Sequence, residues 1–202
     1  MQMRRCLGVK VALLATGLLL GGCVTVPWHP TDGRYASDTE NFSVELPKGW
    51  MRLNTDHDLL ITRDGIMLQH VLVERIRVDQ PLKNTKKSLT RGMQPQALAE
   101  VLLDNITSSE RMLDVKVQEN RPVQIGAHRG FKLVYAYRDK NGLRFKSVQQ
   151  GFLAGDVVYG IRYTAAERYY FAKDLPTYEQ VAASFTLLRP VTSDTPTRTG
   201  SR

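Results

Sequence analysis

The side chains best suited to covalent or metal chemistry are few in this chain: two cysteines and four histidines among 202 residues. Cys6 lies near the N-terminus, whereas Cys23 ends the stretch Leu18–Cys23, which reads LLLGGC. A cysteine thiolate can act as a nucleophile or a metal ligand, and a cysteine can also carry a lipid. Which chemistry applies to Cys23 depends on the compartment in which the protein works.

The residues before Cys23 have the order of an export signal. Arg4, Arg5 and Lys10 supply positive charge, and an uncharged, mainly apolar run of 12 residues follows from Val11 to Gly22. A membrane-spanning helix needs about 18 or more such residues, so a retained transmembrane anchor is the weaker interpretation. Residues 1–22 are therefore predicted to be a signal peptide.

The four residues Leu20-Gly21-Gly22-Cys23 resemble the bacterial lipobox, with Gly21 where Ala or Ser is common. The resemblance implies that Cys23 is acylated and becomes the first residue of the mature chain. Two or three acyl chains, at about 0.8 kcal/mol per buried methylene, would hold the protein on a membrane. The alternative is an ordinary secretory signal with an incidental cysteine near the cleavage site.

Processing at Cys23 would leave no other cysteine, because Cys6 belongs to the discarded segment. The mature chain then has no intramolecular disulfide, no thiolate zinc cluster and no CxxC redox pair. We predict no cofactor, and stability must come from the hydrophobic core.

Two of the histidines were weighed as ligands. His57 stands between Asp56 and Asp58, which could offer a cation two carboxylates and an imidazole. Metal sites need three or four convergent ligands, so a polar loop is the favoured interpretation. His70 lies on a predicted strand, where a hydrogen-bonded core or cleft histidine is more common than a ligand. We predict no metal site.

Motifs that would indicate catalysis are absent from the sequence. It contains no GxSxG, HExxH, P-loop or GxGxxG pattern, so the usual hydrolase, zinc, nucleotide and dinucleotide signatures are missing. The remaining histidines, His29 and His128, fall in a predicted tether and beside a predicted turn, where solvent exposure is expected. The chain is predicted not to be an enzyme.

Positive charge is concentrated in one stretch of 17 residues. From Cys23 onward the chain has 25 basic and 20 acidic residues, a formal charge of +5. Outside the cytosol the anionic partners at hand are lipid headgroups, lipopolysaccharide phosphates and acidic glycans, so nucleic acid is not a predicted partner. The stretch is either a patch for an anionic partner or a solvated loop. Its basic residues are Arg75, Arg77, Lys83, Lys86, Lys87 and Arg91.

Composition divides the mature chain into three parts. Residues 23–40 are rich in Pro, Thr, Ser, Gly and Asp and are predicted to be a lipidated cysteine with a flexible tether, whose 17 residues after Cys23 would reach about 50–60 Å. Residues 189–202 are predicted to be a disordered tail. Between them, residues 41–188 have the size of a single domain.

The pattern of apolar residues in this domain predicts strands, a helix, more strands and a last helix. Strands are expected at 42–46, at 59–62 and at 66–78, the last two joined by Arg63-Asp64-Gly65, and a helix at 95–107. Tight turns near Asn141-Gly142 and Gly155-Asp156 predict antiparallel strands over 113–164, and a capping box of Thr177 and Gln180 predicts a helix starting near Thr177. This order indicates an α+β fold with an antiparallel sheet.

Several of these segments together resemble a PsbP-like domain, which in bacteria occurs in DcrB-type lipoproteins. The segments are FSVELPKGW at 42–50, the helix at 95–107, GAHRGFKLVYAY at 126–137, VVYGIRYTA at 157–165 and EQVAASFTL at 179–187. The resemblance implies a central antiparallel sheet with helices packed on its faces. It also implies a binding or assembly role, and it transfers no catalytic motif.

These observations predict a lipid-anchored lipoprotein of the cell envelope that binds a protein or an anionic envelope component without catalysis. Val24 follows the anchor where an aspartate would resemble an inner-membrane retention signal, so outer-membrane residence facing the periplasm is predicted. Two alternatives stay open. An envelope hydrolase or transferase would show histidines and carboxylates converging in a deep pocket, and a small-ligand carrier would show an apolar cavity between helix and sheet.

Overall fold

The computed structural model of the chain describes residues 28–53 and 58–191. The predicted signal peptide, Cys23 and His57 lie outside these residues. The described elements are β1 (Trp28–Pro30), β2 (Gly33–Ser37), β3 (Phe42–Leu46), β4 (Met51–Leu53), β5 (Leu59–Thr62), β6 (Gln69–Arg77), α1 (Pro95–Thr107), β7 (Leu113–Ile125), β8 (His128–Arg138), β9 (Arg144–Ala154), β10 (Val157–Ala166), α2 (Tyr170–Ala183) and β11 (Thr186–Leu187).

Two antiparallel sheets organise the described strands. The large sheet has eight strands in the order β1-β4-β5-β6-β10-β9-β8-β7, and the small sheet has the order β11-β3-β2. α1 packs on one face of the large sheet, and α2 packs on the other together with β3. The predicted α+β class with a central antiparallel sheet is confirmed.

The second half of the chain forms the predicted meander. Strands β7, β8, β9 and β10 are consecutive neighbours in the sheet. Two of the tight turns place Gly142 and Gly155 at φ of 82° and 61°, which glycine adopts without steric cost. β7 continues through Pro122, because β7 is an edge strand and needs no ladder hydrogen bond on its outer side.

The first helix has the predicted bounds, Pro95 to Thr107. Pro95 stands at the start of the helix, where its missing N–H costs no hydrogen bond. The apolar residues Leu98, Val101 and Ile106 recur at helical spacing and are buried. They form a second core cluster with the aromatic and aliphatic side chains of β8.

The second helix starts seven residues before the predicted Thr177. It begins at Tyr170 and passes through Pro176, so Thr177 lies inside the helix and is not a cap. A proline inside a helix removes one backbone hydrogen bond and usually favours a break. Here burial of Phe171, Asp174 and Tyr178 on one helix face, against the sheet, outweighs that cost.

The predicted tether of residues 23–40 is wrong from Trp28 onward. β1 pairs with β4, and β2 pairs with β3 over Gly33 to Ser37. Between these strands Thr31 is buried and donates a hydrogen bond to the Pro47 carbonyl. The two strands are short and lie at sheet edges, so few of their side chains need to be apolar and no period marks them.

The prediction of a disordered tail over residues 189–202 is wrong for residues 189–191, which contact the domain. The Arg189 amide donates to Asn41 Oδ1 at 2.8 Å, and Val191 packs on the core. Residues 192–202 lie outside the described part. The folded domain is therefore wider than 41–188 at both ends, reaching Trp28 and Val191.

The β5–β6 connection is longer than the predicted Asp-Gly turn. Gly65 has φ of 104°, and its carbonyl accepts hydrogen bonds from the amides of Leu68 and Gln69. β6 therefore begins at Gln69 and not at Ile66. Residues 63–68, called the Met67 turn below, project Ile66 and Met67 toward solvent.

Candidate functional site

Strand β6 shows that the two faces of the large sheet are covered unequally. On the face toward α2, Val71 and Val73 are each 1% exposed. On the opposite face, His70 and Leu72 are only half-buried. Because successive side chains of a strand point to opposite faces, the α1 side of the sheet is the incompletely covered one.

This difference follows from the position of α1. The helix packs on β7, β8 and β9, at one side of the sheet. The connection before it adds Leu82, Leu89 and Met93 over the end of β6. Neither of the described helices covers the α1 side of β4, β5 and the first part of β6.

The uncovered area is a continuous surface, which we call the open face. Strand register fixes its members, since Leu60 lies opposite Leu72 and Met51 lies opposite Thr62. Residues directly opposite each other on antiparallel strands share a face. The half-buried residues of the open face are Met51, Leu53, Leu60, His70, Leu72, Glu74 and Arg162.

A charged pair borders the open face where β6 lies beside β10. Arg162 is the one residue of β10 that is not buried, and its guanidinium lies 3.8 Å from Glu74. The Gln149 amide donates to the same carboxylate at 3.2 Å. Gly160 lies opposite Glu74, and a Cβ there would meet the Glu74 and Gln149 side chains at 3.3 and 3.5 Å. Because Gly160 has no side chain, the side chains of Glu74 and Gln149 have space to lie beside it.

The surroundings of Arg162 favour its charged form. Burial opposes the charge most strongly, but the Glu74 carboxylate, Tyr135 and Tyr137 together outweigh burial, and the pKa of Arg162 is raised. Gln149 Oε1 is buried without a hydrogen-bond partner among the described residues. Burial also raises the pKa of Tyr137 to about 12, so this tyrosine is neutral at physiological pH.

His70 is the hydrogen-bonded cleft histidine that the sequence predicted. Its Nδ1–H donates to the Ile66 carbonyl at 3.0 Å. Burial lowers the pKa of His70, the bond to Ile66 raises it, and the charge of Arg162 lowers it further. The net direction is downward, so the ring is neutral at pH 7.

The open face combines an apolar strip, one charged pair and a buried polar atom with unused hydrogen-bonding capacity. In the described residues, no group of three or more His, Cys, Asp and Glu side chains is placed to hold a metal ion.

The six basic residues predicted as a patch do not form one surface. Arg75 points to the α2 side, where it pairs with Glu40 and its guanidinium lies 5.5 Å from the centre of the Tyr159 ring. Arg77 lies 2.9 Å from Asp79 and 3.6 Å from Asp156.

The remaining four basic residues lie in the connection between β6 and α1. Arg91 lies 3.5 Å from Asp156, and Lys87 lies 3.0 Å from Asp104. Lys83 and Lys86 are exposed and make no ion pair within the described part of the chain. Acidic neighbours thus offset four of the six charges, which the sequence spacing alone did not reveal.

A second cleft lies between α2 and the large sheet. Its volume is about 180 Å³, and its lining includes Lys132, Lys146, Glu119 and Glu179. Cavities for drug-sized ligands usually have about 300–1,000 Å³ and mainly apolar walls. This cleft is smaller and charged, so it differs from the apolar cavity that a small-ligand carrier would show.

One aromatic ring and two histidine rings differ in exposure. Tyr169, in the Tyr169-Tyr170-Phe171 run, is 62% exposed, so one ring of this run reaches solvent. His128 is half-buried and stacks on Phe152 with a centroid distance of 4.2 Å, so the expected solvation is wrong. His29 is exposed as predicted.

The sequence interpretation missed the open face. β6 has apolar residues at both odd and even positions, so periodicity does not say which face is covered. One available signal was Arg162, a lone cation in the otherwise uncharged strand VVYGIRYTAA. A charge in such a strand must find a partner or a gap in the packing.

Comparison with protein family models and with curated protein sequences gives no match. Comparison with solved structures finds cyanobacterial PsbP (CyanoP) from Synechocystis sp. PCC 6803, at 14% identity and a TM-score of 0.54, covering 82% of this chain and 96% of that one. The fold is PsbP-like. The Ran-binding protein Mog1p from Saccharomyces cerevisiae is also similar, at 9% identity and a TM-score of 0.51, covering 79% of this chain and 97% of Mog1p.

At these identities the likeness concerns the fold alone. No helix in residues 28–53 and 58–191 is both long enough and apolar enough to cross a bilayer.

Proposed function

We propose that this protein is a non-catalytic binding module of the cell envelope, anchored to a membrane through acylated Cys23 and facing the periplasm at the outer membrane. Its open face is the surface that binds a protein partner. The signal-like residues 1–22 and the LGGC stretch support the anchor. The similarity of fold to a Ran-binding protein supports a protein-binding role.

The observation that carries the proposal is the half-burial of Leu60 and Leu72 beside Arg162. A leucine on a central strand normally lies in the core, and burying a side chain of this size is worth about 1.5–3 kcal/mol. Here two such residues lie opposite each other on β5 and β6 and keep contact with water. Apolar area next to an arginine is typical of the energetically important part of a protein interface.

Site-specific cross-linking tests this face directly. A photo-reactive amino acid at position 72 should form a discrete adduct with one protein in intact cells, and the same probe at Val117, on the far edge of the sheet, should not. Leu60→Glu should remove the adduct without reducing the amount of folded protein. Equal adducts from positions 72 and 117 would contradict the proposal.

The anchor is tested by Cys23→Ala. We expect this variant to leave the membrane fraction, since it removes the only site of acylation the sequence offers. Fractionation with and without detergent measures the effect, and intact-mass analysis of the wild-type chain shows the acyl groups. Unchanged membrane recovery of Cys23→Ala would contradict the anchor.

A second candidate is an anionic envelope partner, which the exposed and unpaired Lys83 and Lys86 favour. Each basic side chain near an anionic membrane contributes about 1 kcal/mol. Replacing Lys83, Lys86 and Lys87 with Glu should therefore weaken binding to anionic vesicles or glycans at low salt. Arg75→Gln is the matched control, because Arg75 lies on the α2 side. Equal binding by the triple variant would dismiss this candidate.

A further inference from the structure

An exposed apolar surface surrounds the point where the described chain begins. Met67 and Tyr169 are 70% and 62% exposed, the highest values among the large hydrophobic residues described. Ile66, next to Met67, is 42% exposed. All three lie in the Met67 turn or just before α2, at one end of the large sheet.

Trp28 belongs to the same surface. It lines a groove of about 500 Å³ together with Met51, Ile66 and Met67. The groove walls are mainly apolar, and the tryptophan is half-buried. Trp28, the first described residue, therefore lines the same groove as Met67, the most exposed of the described methionines.

Basic side chains border this apolar surface. Arg63 lines the groove, is half-exposed and lies 3.3 Å from the carboxylate of the buried Asp174. The ammonium group of Lys173 lies 2.7 Å from Asp64 and 5.4 Å from the centre of the Tyr169 ring. Trp and Tyr side chains together with Arg and Lys are enriched where proteins meet the headgroup region of a bilayer.

The chain length between Cys23 and Trp28 limits how far this surface can lie from an anchor. Five residue steps reach at most about 18 Å, compared with the 50–60 Å of the tether that composition predicted. If Cys23 is acylated, Trp28 must therefore lie within about 18 Å of the cysteine that holds the chain on the bilayer.

We propose that the Met67 turn, Trp28 and Tyr169 form a membrane-contacting surface that lies in the headgroup region beside the anchor. This inference rests on the proposed acylation of Cys23 and adds the orientation of the domain. The groove shares Met51 with the open face, so the open face lies next to the bilayer and its partner must approach along the membrane.

The two tryptophans provide the test, because Trp50 is 3% exposed in the core and serves as an internal reference. The acylated mature chain, which starts at Cys23, is reconstituted into phosphatidylethanolamine–phosphatidylglycerol vesicles with brominated acyl chains. Bromine near the headgroups should quench wild-type tryptophan fluorescence. Trp28→Phe should lose this quenching, since only Trp50 remains.

Introducing negative charge into the Met67 turn tests whether this turn contacts the bilayer. Ile66→Glu combined with Met67→Glu should reduce the quenching to the Trp28→Phe level, while the protein still pellets with the vesicles. Val117→Glu is the matched control, because it is similarly exposed but lies on the far edge strand β7, and it should be quenched like wild type. Circular dichroism and thermal unfolding check that each variant is folded.

The outcomes separate this inference from the proposed function. Wild-type protein that pellets with vesicles but shows no quenching beyond that of Trp28→Phe would overturn the membrane contact and leave the anchor intact. Failure of the wild-type protein to pellet would overturn both. If the double Glu variant is quenched normally but loses the cross-linked protein adduct, the turn binds a protein and the inference is wrong.

Discussion

The two faces of the eight-stranded sheet differ in how completely they are covered. On the α2 side, Val71 and Val73 of β6 are buried beneath the helix and the small sheet. On the α1 side, Leu72 and His70 of the same strand keep contact with water. Because its side chains alternate, one strand can contribute to the core on one face and leave the other face open to the proposed partner.

The largest expected effect compares adjacent residues of β5. Ile61 is buried on the α2 side, whereas Leu60 is only half-buried on the open face. We expect Ile61→Ala to lower the free energy of unfolding by about 2–5 kcal/mol, because it leaves a cavity. Leu60→Ala should lower it by about 1–2 kcal/mol, since part of the Leu60 side chain is already in contact with water.

Urea unfolding of both variants, followed by circular dichroism, measures this difference. Equal losses for Ile61→Ala and Leu60→Ala would show that the open face is part of the core. The comparison on which the binding proposal depends would then fail.

An intermediate effect is expected at the charged pair of the open face. Arg162→Met should destabilise the fold by about 1–3 kcal/mol, because it leaves the Glu74 carboxylate partly buried with Gln149 as its only described partner. Adding Glu74→Leu should recover part of that loss. The measurement is a double-mutant cycle of unfolding free energies.

The ion pair of Arg144 with Glu167 is the control for this cycle. Its atoms lie 2.9 Å apart, but the Arg144 side chain is 65% exposed. Arg144→Met should therefore cost about 1 kcal/mol at most. A similar loss at Arg162 would mean that the pair on the open face is solvated like an ordinary surface pair.

The smallest effect concerns pH and His70. Because its pKa is lowered in the folded state, the unfolded chain binds more protons as the pH falls below the usual value of 6.5. Stability contributed by the neutral ring is present above that pH and is lost as the pH falls toward the folded-state pKa. His70→Gln should therefore lose less stability than wild type between pH 7.5 and 5.

Unfolding free energies at these two pH values test the prediction, with His29→Gln as the control. His29 is exposed on β1, so its substitution controls for the loss of a histidine outside the open face. If His70→Gln and wild type respond equally to pH, the ring is more solvated than its position beside Ile66 and Arg162 suggests.

Local signals predicted the elements whose own residues decide their conformation. α1 has Pro95 at its start and apolar residues at helical spacing, and its bounds agree with the prediction. The β7–β10 meander follows from alternating strands separated by glycine turns. In both cases neighbours in sequence are also neighbours in space, so spacing carries enough information.

Distant contacts decided the elements that were missed. β1 and β2 exist because they pair with β4 and β3, and the start of α2 depends on packing that outweighs Pro176. Arg91 and Lys87 likewise form ion pairs with Asp156 and Asp104, which lie far from them along the chain. A charge cluster read along the sequence does not show where its counter-charges lie in space.

The sequence by itself determined the α+β class, the antiparallel meander and the first helix, because these depend on local periodicity and turn chemistry. It also supplied the reason to expect an anchor at Cys23. Only the tertiary structure decided that the domain includes Trp28, that α1 leaves β4, β5 and the first part of β6 uncovered, and that Met67 lines a groove with Trp28. Coverage of a sheet face depends on where a helix lies across strands distant in sequence, and no local pattern encodes that position.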